Sequence, residues 1–386
     1  MGDRISTPLD PENYSGFYKR SSTLVREELE KLKEKFKKYA APSQREKIEN
    51  VIETDKRHHV LMKLCAKSFA QTNLSKSSGY EFYFAEPLVE FGSEKKGNHS
   101  FDLFLYNEQE NRAIFVECKS SITDGKKTIR EVQDSRDQVL KRIDYLSDLV
   151  GASLDPERIE YVLCVYDTDS PKIIDSLKAQ SQRKNPKYDA NLVKLWIFRP
   201  RSEIIQLYHE HTHENEELTD LLLEGFGKEQ LKRQFELPYC ITTHPFRIII
   251  YAIISGCYRA NLYNNGGEDP KIIKISDIFE TMMKDISLGV SVEQKKRMVR
   301  EKLDLVIEYG IKYQLFEKKD GNKIHLTCRG RNIDVVLENI TNKFLERWIE
   351  EKSELEGQKL ALNEYKRKAM KDQKTLFEKF DSTEKK

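Results

Sequence analysis

Three charged residues, Asp102, Glu117 and Lys119, stand in the stretch FDLFLYNEQENRAIFVECKSS (residues 101–121), where the surrounding pattern asks for apolar side chains. Side chains alternate along a strand, so Glu117 and Lys119 share one face. An acid from the neighbouring strand would complete the group at one edge of a sheet. Two carboxylates held close together repel unless a positive charge sits between them. A hard divalent cation meets that need, since Mg²⁺ binds through one or two carboxylates together with water and substrate phosphate. The carbonyl of Cys118 is a candidate further ligand. Lys119 could then orient or help deprotonate an attacking water and neutralise a phosphate oxygen in the transition state. That combination is the chemistry of phosphodiester hydrolysis.

The elements that must position these residues can be read from periodicity. YEFYFAEPLVEFG, SFDLFLYN and RAIFVECKSS are short, rich in aromatic and β-branched residues and separated by polar breaks, which predicts three successive strands, the last two antiparallel. TIREVQDSRDQVLKRIDYLSDLVG predicts one amphipathic helix closed by a glycine. Two more strands, RIEYVLCVYD and NLVKLWIFRP, follow on either side of the helical PKIIDSLKAQSQ. Before the strands, residues 22–39 and about 44–72 read as two amphipathic helices interrupted by AAPSQ.

The acid at 102, E-x-K at 117–119 after an apolar run, and the helix and strands that follow resemble the PD-(D/E)xK nuclease superfamily over about residues 44–200. The resemblance implies a restriction-endonuclease-like α/β or α+β fold, a mixed central sheet flanked by helices. It also implies a DNA endonuclease dependent on Mg²⁺, or alternatively Mn²⁺. In that pattern Asp102 and Glu117 hold the metal with the Cys118 carbonyl, Asp102, Glu117 and Lys119 are catalytic, and Phe101 replaces the motif proline. Many members add an acid from the preceding helix. Glu49 and Glu53 on that helix and Glu86 and Glu90 in the first strand all lie in range, and Gln138 resembles an accessory glutamine. Such enzymes often work as dimers because two strands need two sites, and a restriction or anti-phage role is the expected setting. The alternatives are a DNA-binding regulator whose nuclease-like domain does not cut, and the nuclease subunit of a transposase-like complex. Without the resemblance, Glu117 and Lys119 would read as a surface ion pair of little consequence.

The C-terminal half follows a different pattern. PFRIIIYAIISGCYRAN, KISDIFETMMKD and SVEQKKRMVREKLDLVIEYGI read as three helices, and KYQLFEKKDGNKIHLTCRG as two strands around an Asp-Gly turn. Three helices and a closing hairpin, ending in LT-x-x-G, resemble a winged helix-turn-helix. Residues 290–333 carry eleven Lys or Arg against six Asp or Glu, whereas residues 80–200 carry 18 against 21. The local excess marks a phosphate-backbone reader of double-stranded DNA, with Lys295, Lys296, Arg297 and Arg300 on the third helix and Lys318, Lys319 and Lys323 flanking the wing. Winged helices also serve as protein-contact modules, so fold alone does not choose between the two uses.

The expected organisation is a helical extension (1–43), a nuclease domain (44–208), a connector (209–244), a winged helix (245–340) and a charged C-terminal helix or tail (341–386). A length of 386 residues suits two cores. The chain is 38% hydrophobic and 34% charged, with a formal net charge of +2 that hides the regional asymmetry. It has no long apolar run and no leader-like N-terminus, so a cytoplasmic protein without a membrane partner is expected. Six cysteines without a CxxC pair suit free thiols and argue against structural zinc. His209, His211 and His213 could share one face for a metal but read first as a surface loop; His58 and His59 are equally ambiguous. NLYNNGGEDP lacks the lysine and spacing of a P-loop, so no nucleotide triphosphate motif is expected.

Overall fold

The computed structural model describes residues 11–383 apart from 71, 89–100, 183–191, 228–242, 264–268, 287, 320–321, 329 and 331. Glu90, Cys240 and the Asp-Gly turn at 320–321 lie outside the described residues. The protein is a mixed α and β structure of two compact units. One comprises Met1–Ile52, Gly310–Glu317 and Leu326–Lys386; the other comprises Glu53–Tyr309 and Lys318–His325.

The first unit is helical. It contains α1 (Pro11–Arg20), the first half of α2 (Thr23–Ser68) and the long α12 (Ile333–Thr383). Leu29 of α2 and Ala361 and Leu362 of α12 make a small core with Tyr14. Ion pairs Lys368–Glu28 (3.1 Å), Lys33–Glu354 (3.7 Å) and Lys37–Glu350 (3.7 Å) run in opposite order along the two helices, which are therefore antiparallel. A Cβ at Gly357 would lie 2.9 Å from the Lys33 carbonyl oxygen, so this position lets the two backbones touch. The break expected at AAPSQ is absent, because α2 runs through Pro42. Pro42 is on the exposed face, where water can satisfy the carbonyl that loses its donor. The expected charged tail is the continuous helix α12.

The second unit is built on a seven-stranded sheet in the order β1-β2-β3-β4-β5-β6-β7. The strands are β1 (Glu81–Ala85), β2 (Leu103–Asn107), β3 (Arg112–Lys119), β4 (Ile159–Tyr166), β5 (Val193–Arg199), β6 (Ile204–Leu207) and β7 (Phe226–Gly227). β1, β2 and β3 form an antiparallel meander, β3-β4-β5 are parallel, and β5-β6-β7 are antiparallel again. Parallel pairs need helical crossovers, which α4 (Gly125–Lys141), α5 (Ile143–Val150) and α6 (Ser170–Ser181) supply. The single helix expected over this region is divided in two at Arg142.

The central strands are buried on both faces, as crossover helices require. Leu103, Leu105, Ile114, Val116, Cys118, Val162, Cys164 and Trp196 join one core with the C-terminal half of α2, α3 (Asn73–Ser78) and α7 (Glu216–Glu224). Phe104, Tyr106, Phe115, Tyr161, Leu163, Val165 and Leu195 join the other with α4, α5 and α6. The connector expected over 209–244 contains α7 and β7 among its described residues. Five cysteines are described, and all are buried free thiols.

The chain from Pro245 to α12 is mainly helical. α8 (Pro245–Ile248) continues as a π-wound turn (Ile249–Tyr258) into α9 (Arg259–Tyr263), followed by β8 (Ile272–Lys274), α10 (Ile275–Asp285) and α11 (Val292–Lys312). β9 (Phe316–Lys319) and β10 (Lys323–Leu326) complete a three-stranded sheet in the order β8-β10-β9. Among the described residues no helix is long and apolar enough to cross a membrane.

The turn leading into α4 allows no added bulk. Asp124 caps the helix by accepting from the Lys126 and Lys127 amides at 2.9 and 3.2 Å. A Cβ on Gly125 would lie 2.2 Å from the Lys172 carbonyl oxygen of α6. Gly125→Ala is therefore expected to lower the unfolding free energy by about 1–3 kcal/mol, read as a lower urea midpoint. An unchanged midpoint would mean that α6 can move aside without cost.

Candidate functional site

Asp102 sits one residue ahead of β2 and stays tied to β3. Its amide donates to the Val116 carbonyl (3.0 Å), and its carbonyl accepts from the Glu86 amide (2.9 Å). The carboxylate then takes over the next rung, Oδ2 accepting from the Cys118 amide at 2.7 Å. In an extended strand the amide and carbonyl of one residue leave on the same side, so the Cys118 carbonyl also faces the Asp102 side. On β3, Glu117 and Lys119 lie either side of Cys118 on the α4 face, as their period of two requires. Lys119 Nζ meets Glu117 Oε1 at 2.6 Å and Glu131 Oε2 of α4 at 3.6 Å. The Glu117 and Lys119 side chains are each only 12% exposed, which removes the surface-pair reading.

The structure thus brings Asp102, Glu117 and Lys119 together at the C-terminal end of β3. It adds two residues that the sequence did not single out for this site. Glu131 faces Lys119 from the second turn of α4. His58 Nε2 of α2 stands 3.3 Å from Asp102 Oδ1. His58 lies three residues before Leu61 and seven before Cys65, both fully buried, so a polar residue at the end of an apolar stripe was the available signal. The other accessory candidates fall elsewhere. Glu53 is exposed and pairs with Lys56 at 3.7 Å, Glu49 pairs with Arg45, and Gln138 lies two turns beyond Glu131 on α4. Glu86 is buried beside Asp102.

Burial opposes charge throughout this group, and the partners decide the outcome. Burial disfavours the Asp102 carboxylate, but His58, the Cys118 amide and Lys119 outweigh it and hold the carboxyl below its ordinary range. Burial likewise disfavours a charged His58, and Asp102 raises it above the usual imidazole value. For Glu117 burial wins. With Asp102 adding repulsion, its carboxyl is pushed up to about 6 against the pull of Lys119. Lys119 is held protonated, since Glu117, Asp102 and Glu131 together exceed its burial cost.

Glu117 Oε2 is buried without a hydrogen-bond partner among the described residues. A buried, unpaired carboxylate oxygen is costly. Together with the neighbouring Asp102 it is the oxygen-donor arrangement that a hard cation relieves. Among the described residues, however, no three His, Cys, Asp or Glu side chains are placed to form a metal cage. The residues that could hold a cation here are the two carboxylates and the Cys118 carbonyl, with water completing any such set.

The histidines at 209–213 correct the surface-loop expectation. The His213 side chain is fully buried, bonded through Nδ1 to Glu160 of β4, and its Nε2 accepts from Trp196 Nε1 at 2.9 Å. His211 Nδ1 accepts from the Leu195 amide at 2.9 Å, and only His209 is well exposed. These side chains brace β4 and β5.

The basic residues of the C-terminal half occupy the start of α11 and the hairpin. Ser291 and Gln294 form a reciprocal cap at the helix start, Ser291 N donating to Gln294 Oε1 at 3.1 Å. Arg297 and Arg300 are exposed and Lys295 is half-buried. Lys296 pairs with Glu293 at 2.9 Å, and the Arg300 guanidinium lies 5.5 Å from the Phe279 ring centre. Lys318 and Lys319 are exposed on β9, while Lys323 is half-buried on β10 opposite Lys274.

No family model matches the chain. It is similar to an uncharacterized protein of Archaeoglobus fulgidus, 21% identical over 332 residues, which cover 83% of this chain and 88% of that one. No solved structure matches.

The Asp102–His58 pair predicts a bounded stability window in metal-free buffer. Asp102 has a depressed pKa, so its contribution is present above the ordinary carboxylate range and lost as pH falls through the folded value. His58 has a raised pKa, so its contribution is complete below about 6.5 and lost as pH rises through the folded value. His58→Gln is expected to abolish the alkaline decline in Tm and to start the acid decline at a higher pH. Thermal melts against pH in EDTA check both limbs.

Proposed function

We propose that the protein is a metal-dependent DNA endonuclease that hydrolyses phosphodiester bonds. The carrying observation is the meeting of Asp102, Glu117 and Lys119 at one sheet edge, with a buried Glu117 oxygen left unpaired. An antiparallel β1-β2-β3 meander passing into parallel β4 and β5 through helical crossovers supports a restriction-endonuclease-like fold. The order helix, strand, helix, helix, strand, strand, with a sheet ordered β8-β10-β9, supports a winged helix-turn-helix in the C-terminal half. Its first two α11 turns and its hairpin carry the basic residues of a phosphate-backbone reader.

In this reading Asp102, Glu117 and the Cys118 carbonyl hold Mg²⁺, or alternatively Mn²⁺. The ion would supply a water of lowered pKa and charge stabilisation at phosphorus. Asp102 is fixed by the Cys118 amide and by His58, so its carboxylate is held in one orientation beside the Cys118 backbone. Lys119 keeps its proton and offers an ammonium group to a phosphate oxygen or to the attacking water. Glu131 draws that ammonium toward α4 and limits its range. A restriction or anti-phage setting, a cytoplasmic location and a homodimer belong to the same proposal.

The alternative is a DNA-binding regulator or assembly protein whose nuclease-like half does not cut. Its support is the close Lys119–Glu117 pair, which ties a catalytic ammonium to a metal-binding acid. Plasmid and oligonucleotide cleavage with Mg²⁺, Mn²⁺ or EDTA separates the two. Metal-dependent cutting that Asp102→Ala and Lys119→Ala each reduce by at least about a hundredfold is expected. Tight binding without cutting would favour the regulator.

DNA binding by α11 has its own measurement. Removing one lysine or arginine that neutralises a phosphate is expected to flatten the dependence of log K on log salt by about 0.9. Lys296→Ala combined with Arg300→Ala should therefore lower the slope by nearly two. An unchanged slope would assign this helix to protein contacts.

A further inference from the structure

One turn of α2 touches three parts of the second unit through three consecutive side chains. Arg57 lies over the Tyr166 ring at 4.1 Å and reaches Asp169 at 3.9 Å, at the end of β4. His58 reaches Asp102 at 3.3 Å. His59 packs against Tyr251 of the π-wound segment, ring centres 5.5 Å apart and planes inclined by 30°. One turn earlier, on the face of His59, Asp55 accepts from Arg247 Nε of α8 at 2.8 Å. Successive residues of a helix project about 100° apart, so a single turn can address the catalytic edge on one side and the 245–258 helix on the other.

We propose that the Asp55–Arg247 ion pair and the His59–Tyr251 ring contact are positioning contacts through which the 245–258 helix holds His58 against Asp102. Arg247 and Asp55 are mostly sheltered, at 13% and 31% side-chain exposure. Their pair therefore fixes geometry better than an exposed one would. His59 is pushed down to about 4 by burial and by the nearby Lys63 and Arg247, so a neutral ring meets Tyr251. The backbone of α2 also accepts from β4, through the bond from Tyr166 Oη to the Arg57 carbonyl (2.9 Å). Rotation of this turn is thus restrained from both sides, and a slip that released His59 would swing His58 away from Asp102. The inference deepens the nuclease reading by making the candidate reader's first helix part of the catalytic edge.

The test uses the full-length protein with ¹³C-labelled histidine, the His58 ring resonance being identified by its loss in His58→Gln. Arg247→Gln and Tyr251→Leu are each expected to move that resonance, and Arg247→Lys to return it toward the wild-type position. Leu146→Ala, a destabilised control in α5, should leave it in place. On saturating DNA, Arg247→Gln should slow single-turnover cleavage on the order of tenfold with the dissociation constant unchanged. A His58 signal unmoved by Arg247→Gln and Tyr251→Leu, or moved equally by Leu146→Ala, would overturn the coupling. Should Arg247→Gln fail to fold, Tyr251→Leu and Asp55→Asn decide by the same resonance. If the wild-type protein cuts no DNA with either metal, the nuclease reading fails while the resonance still judges the coupling.

Discussion

The bond from the Cys118 amide to the Asp102 carboxylate carries the geometry of the candidate site. Side chain replaces main chain at the point where the β2–β3 ladder would take its next rung. The exchange satisfies a buried donor, brings an acid against the middle of E-x-K and leaves its other oxygen free to meet His58. Neither partner acts alone, because an unmet amide or a buried unpaired carboxylate would each be costly. The arrangement therefore needs the strand pair, and the strand pair needs the two helical layers that bury it.

A cluster of this kind is a poor way to stabilise a fold. Replacing a buried ion pair by apolar residues of similar volume is often neutral or favourable, and here the Glu117–Lys119 pair also leaves one carboxylate oxygen unmatched. Apolar neighbours on every side, from Phe115 and Val116 to Leu163 and Val165, could have filled the same space. Buried charge in such a setting marks a candidate functional site. Behind it the same strand places Cys118 with Cys65 and Cys164, whose sulfurs in the latter pair are 3.5 Å apart, as compact apolar filler beneath Asp102 and His58.

The helix α2 links otherwise separate tasks. Its first half belongs to a helical unit with α12, and its second half packs on the sheet and faces the site. One unbroken helix, continuous through Pro42, thus contributes apolar residues to two cores. Within the sheet-bearing unit, the turn at 55–59 meets β4, Asp102 and the helix beginning at Pro245. The Asp102 cluster and residues 245–309 therefore belong to one compact unit.

Local periodicity made the central strands, the crossover helices and the C-terminal helices readable, because burial on one or both faces imposes its own spacing on apolar residues. The charge pattern within that spacing also marked Asp102, Glu117 and Lys119, since an acid or a lysine in an apolar strand breaks the rule locally. Other features depended on partners distant in the chain. His58 acquires meaning only when α2 docks beside Asp102, Glu131 only when α4 folds back over β3, and His213 only when β4 supplies Glu160. The connector expected over 209–244 looked polar because its helix α7 is short and borrows its burial from α3 and β6. Sequence marked the central strands and the charged residues of the candidate site, because those follow from neighbours along the chain. Tertiary structure decided which charges meet, because a carboxylate's partner is set by approach in space, and no periodicity records it.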